Sequence, residues 1–318
     1  MIDVILDVDT GLDDALALLL AARSPKLNLL GVTCVMGNVE LDKVVRNTLK
    51  VLDVAGASNV PVAKGMGQPL IEVQYNAKGV HADDGLGHIN LPEPSRGPAP
   101  EHAVEFLRRT LLEAQKPITL VPLAPPTNIA ALLLQYPEVK PKIAQIVLMG
   151  GAIGMGNASA VAEFNVRQDP EAADIVFCSG LPTVMYGLEV FRQVTFNRAE
   201  AQTFVDSGKA AAKLAGQILH FMLDNFGREQ ATIGDAGCVA SVIEPAGLTT
   251  HKYPVRVELH GKWSRGQTVV DRRPQVTQRL ESEWQPPMGT EISVAVEVDF
   301  QRYRQIFSEA VLSSGENQ

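Results

Sequence analysis

The chain has 318 residues, 46% hydrophobic and 20% charged, with a formal net charge of −8. That balance suits a globular protein with a sizeable core and argues against disorder away from the ends. It also argues against partners held through phosphate contacts, such as nucleic acids, because these need a basic surface. Cys34, Cys178 and Cys238 are too few and too scattered for a disulfide framework or a thiolate metal site. The longest apolar stretch, Ala15 to Ala22, falls far short of the roughly 20 residues of a membrane span. The start, "MIDVILDVDT", lacks the basic segment and apolar run of a signal peptide, so a cytoplasmic setting is expected.

Short apolar runs rich in β-branched residues recur along the chain: "VILDV" at 4–8, "LLGVTCV" at 29–35, "ITLVPL" at 118–123, "QIVLMGG" at 145–151 and "PTVMYGL" at 182–188. Helical segments lie between them. "DKVVRNTLKVLDVAG" opens at Asp42 and closes at Gly56, and "PEAADIVFCSG" opens on Pro170 and closes at Gly180. Continuously apolar strands alternating with helices predict an α/β fold with a doubly wound, mainly parallel central sheet and flanking helices. Residues 91–102, "LPEPSRGPAPEH", form the clearest loop. The pattern turns helical over 199–227. It then returns to strands, "YPVRVEL", "GQTVVD" and "EISVAVEVD", expected to form a small extra C-terminal sheet beside or at the edge of the main one. No repeat or low-complexity linker divides the chain, so residues 1–318 read as one domain.

Chemistry is concentrated where the first strand ends. "ILDVDTGLDDALALLL" places Asp7, Asp9, Asp13 and Asp14 between an apolar strand and an apolar helix, at the carboxyl edge where open α/β sheets bind ligands. Gly11 permits a tight turn there, and Asp13 and Asp14 fall in the first helical turn, at the positive end of its dipole. Two readings are open: helix capping with the other acids solvated, or a shared divalent cation. Four adjacent carboxylates favour the cation, which removes their mutual repulsion by accepting several oxygens at once. A phosphate-transfer site is disfavoured, because no glycine-rich loop with a lysine follows the strand. Asp235, in "ATIGDAGCVASVIEP", reads by itself as a helix N-cap. Asn157, Glu163 and Asn165 form a polar block after a buried strand, able either to satisfy loop backbone or to bind a polyhydroxyl ligand.

"DVDTGLDDALALLLA", "GVTCVMGNV", "GVHADDGLG", "TLVPLAPPTNIA", "IVLMGGAIGMGNAS", "VAEFNVRQDPEAA" and "GDAGCVASVIEP" occur in that order. With "VELHGKWSRGQTVVDRR" and "VEVDFQRYRQI" they extend over essentially the whole chain. In this the chain resembles the calcium-dependent nucleoside hydrolases of the inosine-uridine type. The resemblance implies Ca2+ held by Asp9, Asp14, Asp235 and the backbone carbonyl of Leu123, where family members often carry threonine. It places Asp13 and Asn165 on the ribose hydroxyls, Asn157 and Glu163 at the 5′-hydroxyl, and Asn38 and Met149 along the ribose pocket. The implied reaction is hydrolysis of the N-glycosidic bond of a small-molecule nucleoside to ribose and free base, through an oxocarbenium-like transition state, with Asp9 as general base. Family members are usually homodimers or homotetramers.

One departure stands out. Most members of this type carry histidine before the aspartate matching Asp235, as an acid for the departing base, and a purine-specific branch carries tryptophan there. This chain has Gly234. The remaining candidates for that role are His81, which matches a family histidine near the base, and Arg228, Glu229 or Gln230. Besides a modestly active ribonucleoside hydrolase, a hydrolase for a non-standard ribosyl substrate and a non-catalytic ribose or nucleoside sensor remain open. Restoring histidine at Gly234 is expected to raise activity on inosine.

Overall fold

The computed structural model describes residues 1–274 and 289–313. The strands, in chain order, are β1 (Ile2–Val8), β2 (Leu27–Cys34), β3 (Val62–Lys64), β4 (Ile118–Pro122), β5 (Ile143–Met149), β6 (Thr183–Tyr186), β7 (Thr195–Asn197), β8 (Gln230–Thr232), β9 (Leu248–Val257), β10 (Thr268–Val270) and β11 (Glu291–Val298). Nine of them form one sheet in the order β10-β9-β11-β6-β5-β4-β1-β2-β3. All pairings from β3 through β6 to β11 are parallel, and those among β1, β2, β4, β5 and β6 are the ones the apolar runs predict. β3 escapes a sequence reading because three residues, "VAK", carry no periodic signal.

The late strands stand at the edge of the main sheet. β11 pairs in parallel with β6, β9 pairs antiparallel with β11, and β10 pairs antiparallel with β9. A separate two-stranded ribbon, β7 with β8, joins two segments that show no strand pattern of their own.

Alternate residues of the central strands feed two cores, one on each face. Val4, Leu6 and Val8 of β1, with Val147 and Met149 of β5, meet α1 (Leu12–Arg23) and α2 (Leu41–Ala55). Ile5, Ile146 and Leu148 face the other core, with α3 (Ala103–Glu113), α4 (Thr127–Gln135) and α5 (Pro170–Phe177). α6 (Ala210–Phe226), α7 (Asp235–Ile243) and α8 (Phe300–Leu312) complete the first layer. From Leu12 to Ala22 every residue of α1 except Asp13 is buried, which explains a helix apolar all round. Among the described residues no helix is long and apolar enough to cross a membrane.

β1 pairs with β2 on one side and β4 on the other. The order of connection therefore reverses at β1, leaving a crevice outside the carboxyl ends of β1 and β4, the switch point at which doubly wound sheets bind ligands.

Candidate active site

A cavity of about 290 Å³ opens at this crevice. Asp9, Asp13, Asn38, His81, Leu123, Met149, Asn157, Glu163, Asn165 and Asp235 all line it. Asp14, the remaining expected residue, is wholly buried and does not reach the lining.

The acids at the end of β1 divide their tasks. Asp14 closes the first turn of α1, accepting hydrogen bonds from the backbone N–H of Gly11 (3.0 Å) and Asp9 (3.2 Å). Capping thus accounts for one carboxylate. Asp9 is gripped by Asn38, whose backbone N–H donates to Oδ2 (2.8 Å) and whose Nδ2 donates to Oδ1 (3.1 Å). Asn38 Nδ2 also donates to Asp14 (3.2 Å), so one amide holds both acids. Asp7 ties β1 to β2 and α4, accepting from Thr33 Oγ1 (2.6 Å) and Asn128 Nδ2 (2.7 Å).

Asp13, Asp14 and Asp235 each bring a carboxylate oxygen within 4.8 Å of the other two. Asp235 arrives at the N-terminus of α7, more than two hundred residues after the others in the chain. Burial raises the pKa of Asp9 and Asp235 well above the usual range, and like charges add to it: Asp14 and Asp13 for Asp9, and Asp13, Asp14 and Asp9 for Asp235. Burial, with Asp13, brings Asp14 to about 7. Among the described residues no salt bridge relieves these carboxylates. Converging acids that no salt bridge among the described residues neutralises are a donor set that a hard divalent cation fits.

The opposite wall is built by the loop after β5. Glu163 caps the short helix Phe164–Gln168, accepting from the N–H of Asn165 (2.9 Å), Gly151 (3.0 Å) and Val166 (3.1 Å). Burial outweighs these bonds and raises it to about 7. Asn165 Nδ2 donates to the carbonyls of Leu123 (2.9 Å) and Met149 (3.1 Å), linking the ends of β4 and β5. Asn157 is exposed at the rim, its Oδ1 accepting from Phe164 N–H (2.8 Å). The polar block satisfies loop backbone, and its side chains also line the cavity.

His81 ends a short helix, Lys78–His81, and lies buried against the start of α1. Its Nδ1 accepts a hydrogen bond from Leu12 N–H (3.1 Å), and burial lowers its pKa against the opposing pull of Asp13. Gly11, expected to serve a tight turn, has an ordinary extended backbone (φ −99°, ψ −155°). A glycine is needed there because a Cβ would stand 2.5 Å from His81 Nδ1.

At Gly234 any side chain, a histidine included, would be strained. The backbone has φ +50° and ψ −113°, and a Cβ would fall 2.7 Å from Cζ of Phe191 and 2.9 Å from Cβ of Asp13. Phe191, Met222, Phe226, Thr232 and Arg192 also line the cavity, and none of them was singled out in the sequence. Arg228 reaches it as anticipated, whereas Glu229 and Gln230 are not part of the lining.

Residues 4–305 match the family model described as inosine-uridine preferring nucleoside hydrolase. The chain belongs to this family. A pyrimidine-specific ribonucleoside hydrolase, RihA, from Citrobacter koseri is 41% identical over 273 residues, covering 84% of this chain and 88% of the relative. The RihA of Salmonella schwarzengrund matches equally well, at 41% identity over the same share of each chain. Among solved structures, the purine-preferring ribonucleoside hydrolase from Gardnerella vaginalis superimposes with a TM-score of 0.89 at 33% identity, covering 99% of this chain and 100% of that one. The nucleoside hydrolases share this mostly parallel sheet with flanking helices. The cavity at its switch point is therefore the place to look for cleavage of an N-glycosidic bond, and the chain is a ribonucleoside hydrolase by family.

Proposed function

We propose that this nucleoside hydrolase is calcium-dependent and cleaves the N-glycosidic bond of ribonucleosides at the cavity beside β1 and β4. The observation that carries this reading is the convergence of Asp13, Asp14 and Asp235, with Asp9 within the field of the Asp13 and Asp14 charges. Asp9, Asp14, Asp235 and the Leu123 carbonyl would hold the ion. When bound, calcium supplies the positive charge that keeps the carboxylates ionised and holds and acidifies the attacking water.

The protein's own groups do the rest. Asp13 and Asn165 hold the ribose hydroxyls, Asn157 and Glu163 the 5′-hydroxyl, and Asn38 and Met149 complete the ribose wall. Asn38 fixes the carboxylate of Asp9, which takes a proton from the water as its oxygen bonds to C1′. The C1′–N bond breaks and its electron pair leaves with the base. The surrounding carboxylates stabilise the positive charge developing on the ribose. His81, neutral and with Nδ1 engaged, has its proton on Nε2 and donates it in a hydrogen bond to the departing base.

The Gly234 backbone favours a second reading, in which the site binds a nucleoside, or another ribosyl compound, without efficient turnover of common nucleosides. Ribose release from a panel of purine and pyrimidine nucleosides separates the two. Turnover of any of them supports hydrolysis, and tight calorimetric binding without turnover supports the sensor. The relatives' names point to both pyrimidine and purine substrates, so the choice of base rests on this chain's own wall. We place the protein in the cytoplasm, where its cysteines, free in the structure, would stay reduced. A homodimer or homotetramer is the proposed assembly.

A further inference from the structure

The cavity lining combines two chemistries. Asp9, Asp13, Asn38, Glu163 and Asp235 supply polar lining. Phe191, Leu188, Met222, Phe226 and Val80 supply apolar lining, with Arg192 and Arg228 from the same segments of the chain. Leu188 and Met222 are buried parts of the core, Phe191 is half-buried against that core, and Phe226 and Val80 are exposed at the rim. A ligand that satisfies both has hydroxyls and a flat apolar face.

The position of the Phe191 ring is set by the loop before Asp235. Gly234 adopts φ +50°, and a Cβ built on it would lie 2.7 Å from Cζ and 2.8 Å from Cε2 of Phe191. The ring edge therefore rests where a side chain of residue 234 would begin. The backbone of the two segments is stitched together as well. Thr232 Oγ1 donates to the Phe191 carbonyl (2.7 Å) and accepts from Gly234 N–H (3.1 Å), and Ile233 N–H donates to the Val194 carbonyl (3.0 Å). Glycine at 234 and phenylalanine at 191 are thus one arrangement, fixed beside the acids that would face the ribose.

We propose that Phe191, seated on Gly234, is the platform against which the nucleobase stacks, and so a residue that holds the base half of the substrate at this site. The proposal rests on the nucleoside-hydrolase reading of the cavity. Stacking on an aromatic face is tolerant of base identity and disappears when the ring is replaced by an aliphatic side chain. On this proposal Phe191 contacts the base and not the ribose hydroxyls, so its replacement should leave ribose binding intact.

The experiment measures uridine and inosine binding by KM or calorimetric Kd, with ribose as the base-free probe, in calcium-loaded wild type, Phe191→Leu and Phe191→Tyr. Phe191→Leu retains apolar bulk, and an unchanged Tm and calcium affinity establish that fold and metal site survive. Expected is a weakening of nucleoside binding by about tenfold in Phe191→Leu, unchanged ribose binding in all three proteins, and near wild-type nucleoside binding in Phe191→Tyr. Wild-type nucleoside affinity in Phe191→Leu overturns the proposal alone. Equal weakening of ribose and nucleoside also overturns it, because Phe191 would then shape the whole cavity. A wild type that binds neither ribose nor nucleoside overturns the underlying reading of the cavity, and the proposal with it.

Discussion

Nδ1 of His81 accepts a hydrogen bond from the backbone N–H of Leu12, 3.1 Å away, so a histidine at the end of a short helix is oriented by the first turn of a helix sixty-nine residues earlier. A neutral ring with Nδ1 as acceptor carries its proton on Nε2. That tautomer can donate to a departing base without first becoming charged. His81→Ala is expected to lower kcat by about 10²–10⁴-fold on nucleosides, with a much smaller loss on a ribosyl substrate whose leaving group is a stable anion. Equal losses on both substrates would assign His81 to packing against Gly11.

Asp9 should separate from the ribose-binding groups in a kinetic comparison. Asp9→Asn keeps a side chain near Asn38 but cannot take a proton, so kcat should fall by about 10²–10⁴-fold with ribose affinity little changed. Asp9→Ala is expected to lose calcium binding as well, read by calorimetry. Full calcium affinity in Asp9→Ala would remove this residue from the metal set.

Glu163 gives a pH signature. Its pKa in the folded protein is about 7, raised by burial from the ordinary 4.5, so the folded state holds a proton that the unfolded chain releases. Its contribution to stability is full below about pH 4.5 and is lost as pH rises through about 7. In urea unfolding with chelator present, stability should therefore fall between about pH 5 and about pH 8, and Glu163→Gln should shrink that fall. The same fall in wild type and variant would show that Glu163 is not its source.

Much of this was legible in the sequence, for identifiable reasons. Continuous apolar runs marked the five central strands and "LDDALALLLAAR" marked a buried helix, because both are local patterns. The residues of the polar walls were legible through motifs, and ten of the eleven expected residues do line the cavity. What the chain does not display locally is which side chains become neighbours across long separations. Asn38 gripping Asp9, Leu12 fixing His81 and Asn165 bridging the ends of β4 and β5 are contacts made by the sheet order. Phe191 lay hidden in "GLEVFRQV", since nothing in that segment announces that its ring fills the space beside Gly234. The short ribbon of β7 and β8 was missed for the same reason: its strands are three residues long and defined by their pairing.

Gly234 is the position where sequence and structure lead to opposite expectations. The resemblance leads to an expected gain from histidine there, but the backbone at φ +50° and the adjacent Phe191 ring would strain any side chain. Gly234→His should give no gain on inosine, and Gly234→Ala should cost about 1–3 kcal/mol in unfolding free energy through backbone strain and displacement of the ring. An inosine gain in Gly234→His would show that the loop before Asp235 rearranges.

The central claim is that a cation held by these acids drives cleavage of a ribonucleoside. Ribose release from uridine, cytidine, inosine and adenosine, measured first with chelator and then after calcium is restored, tests it most directly. The account requires release from at least one nucleoside that stops with chelator and returns with calcium. Release unaffected by chelator, or no release from any nucleoside with calcium present, would contradict it.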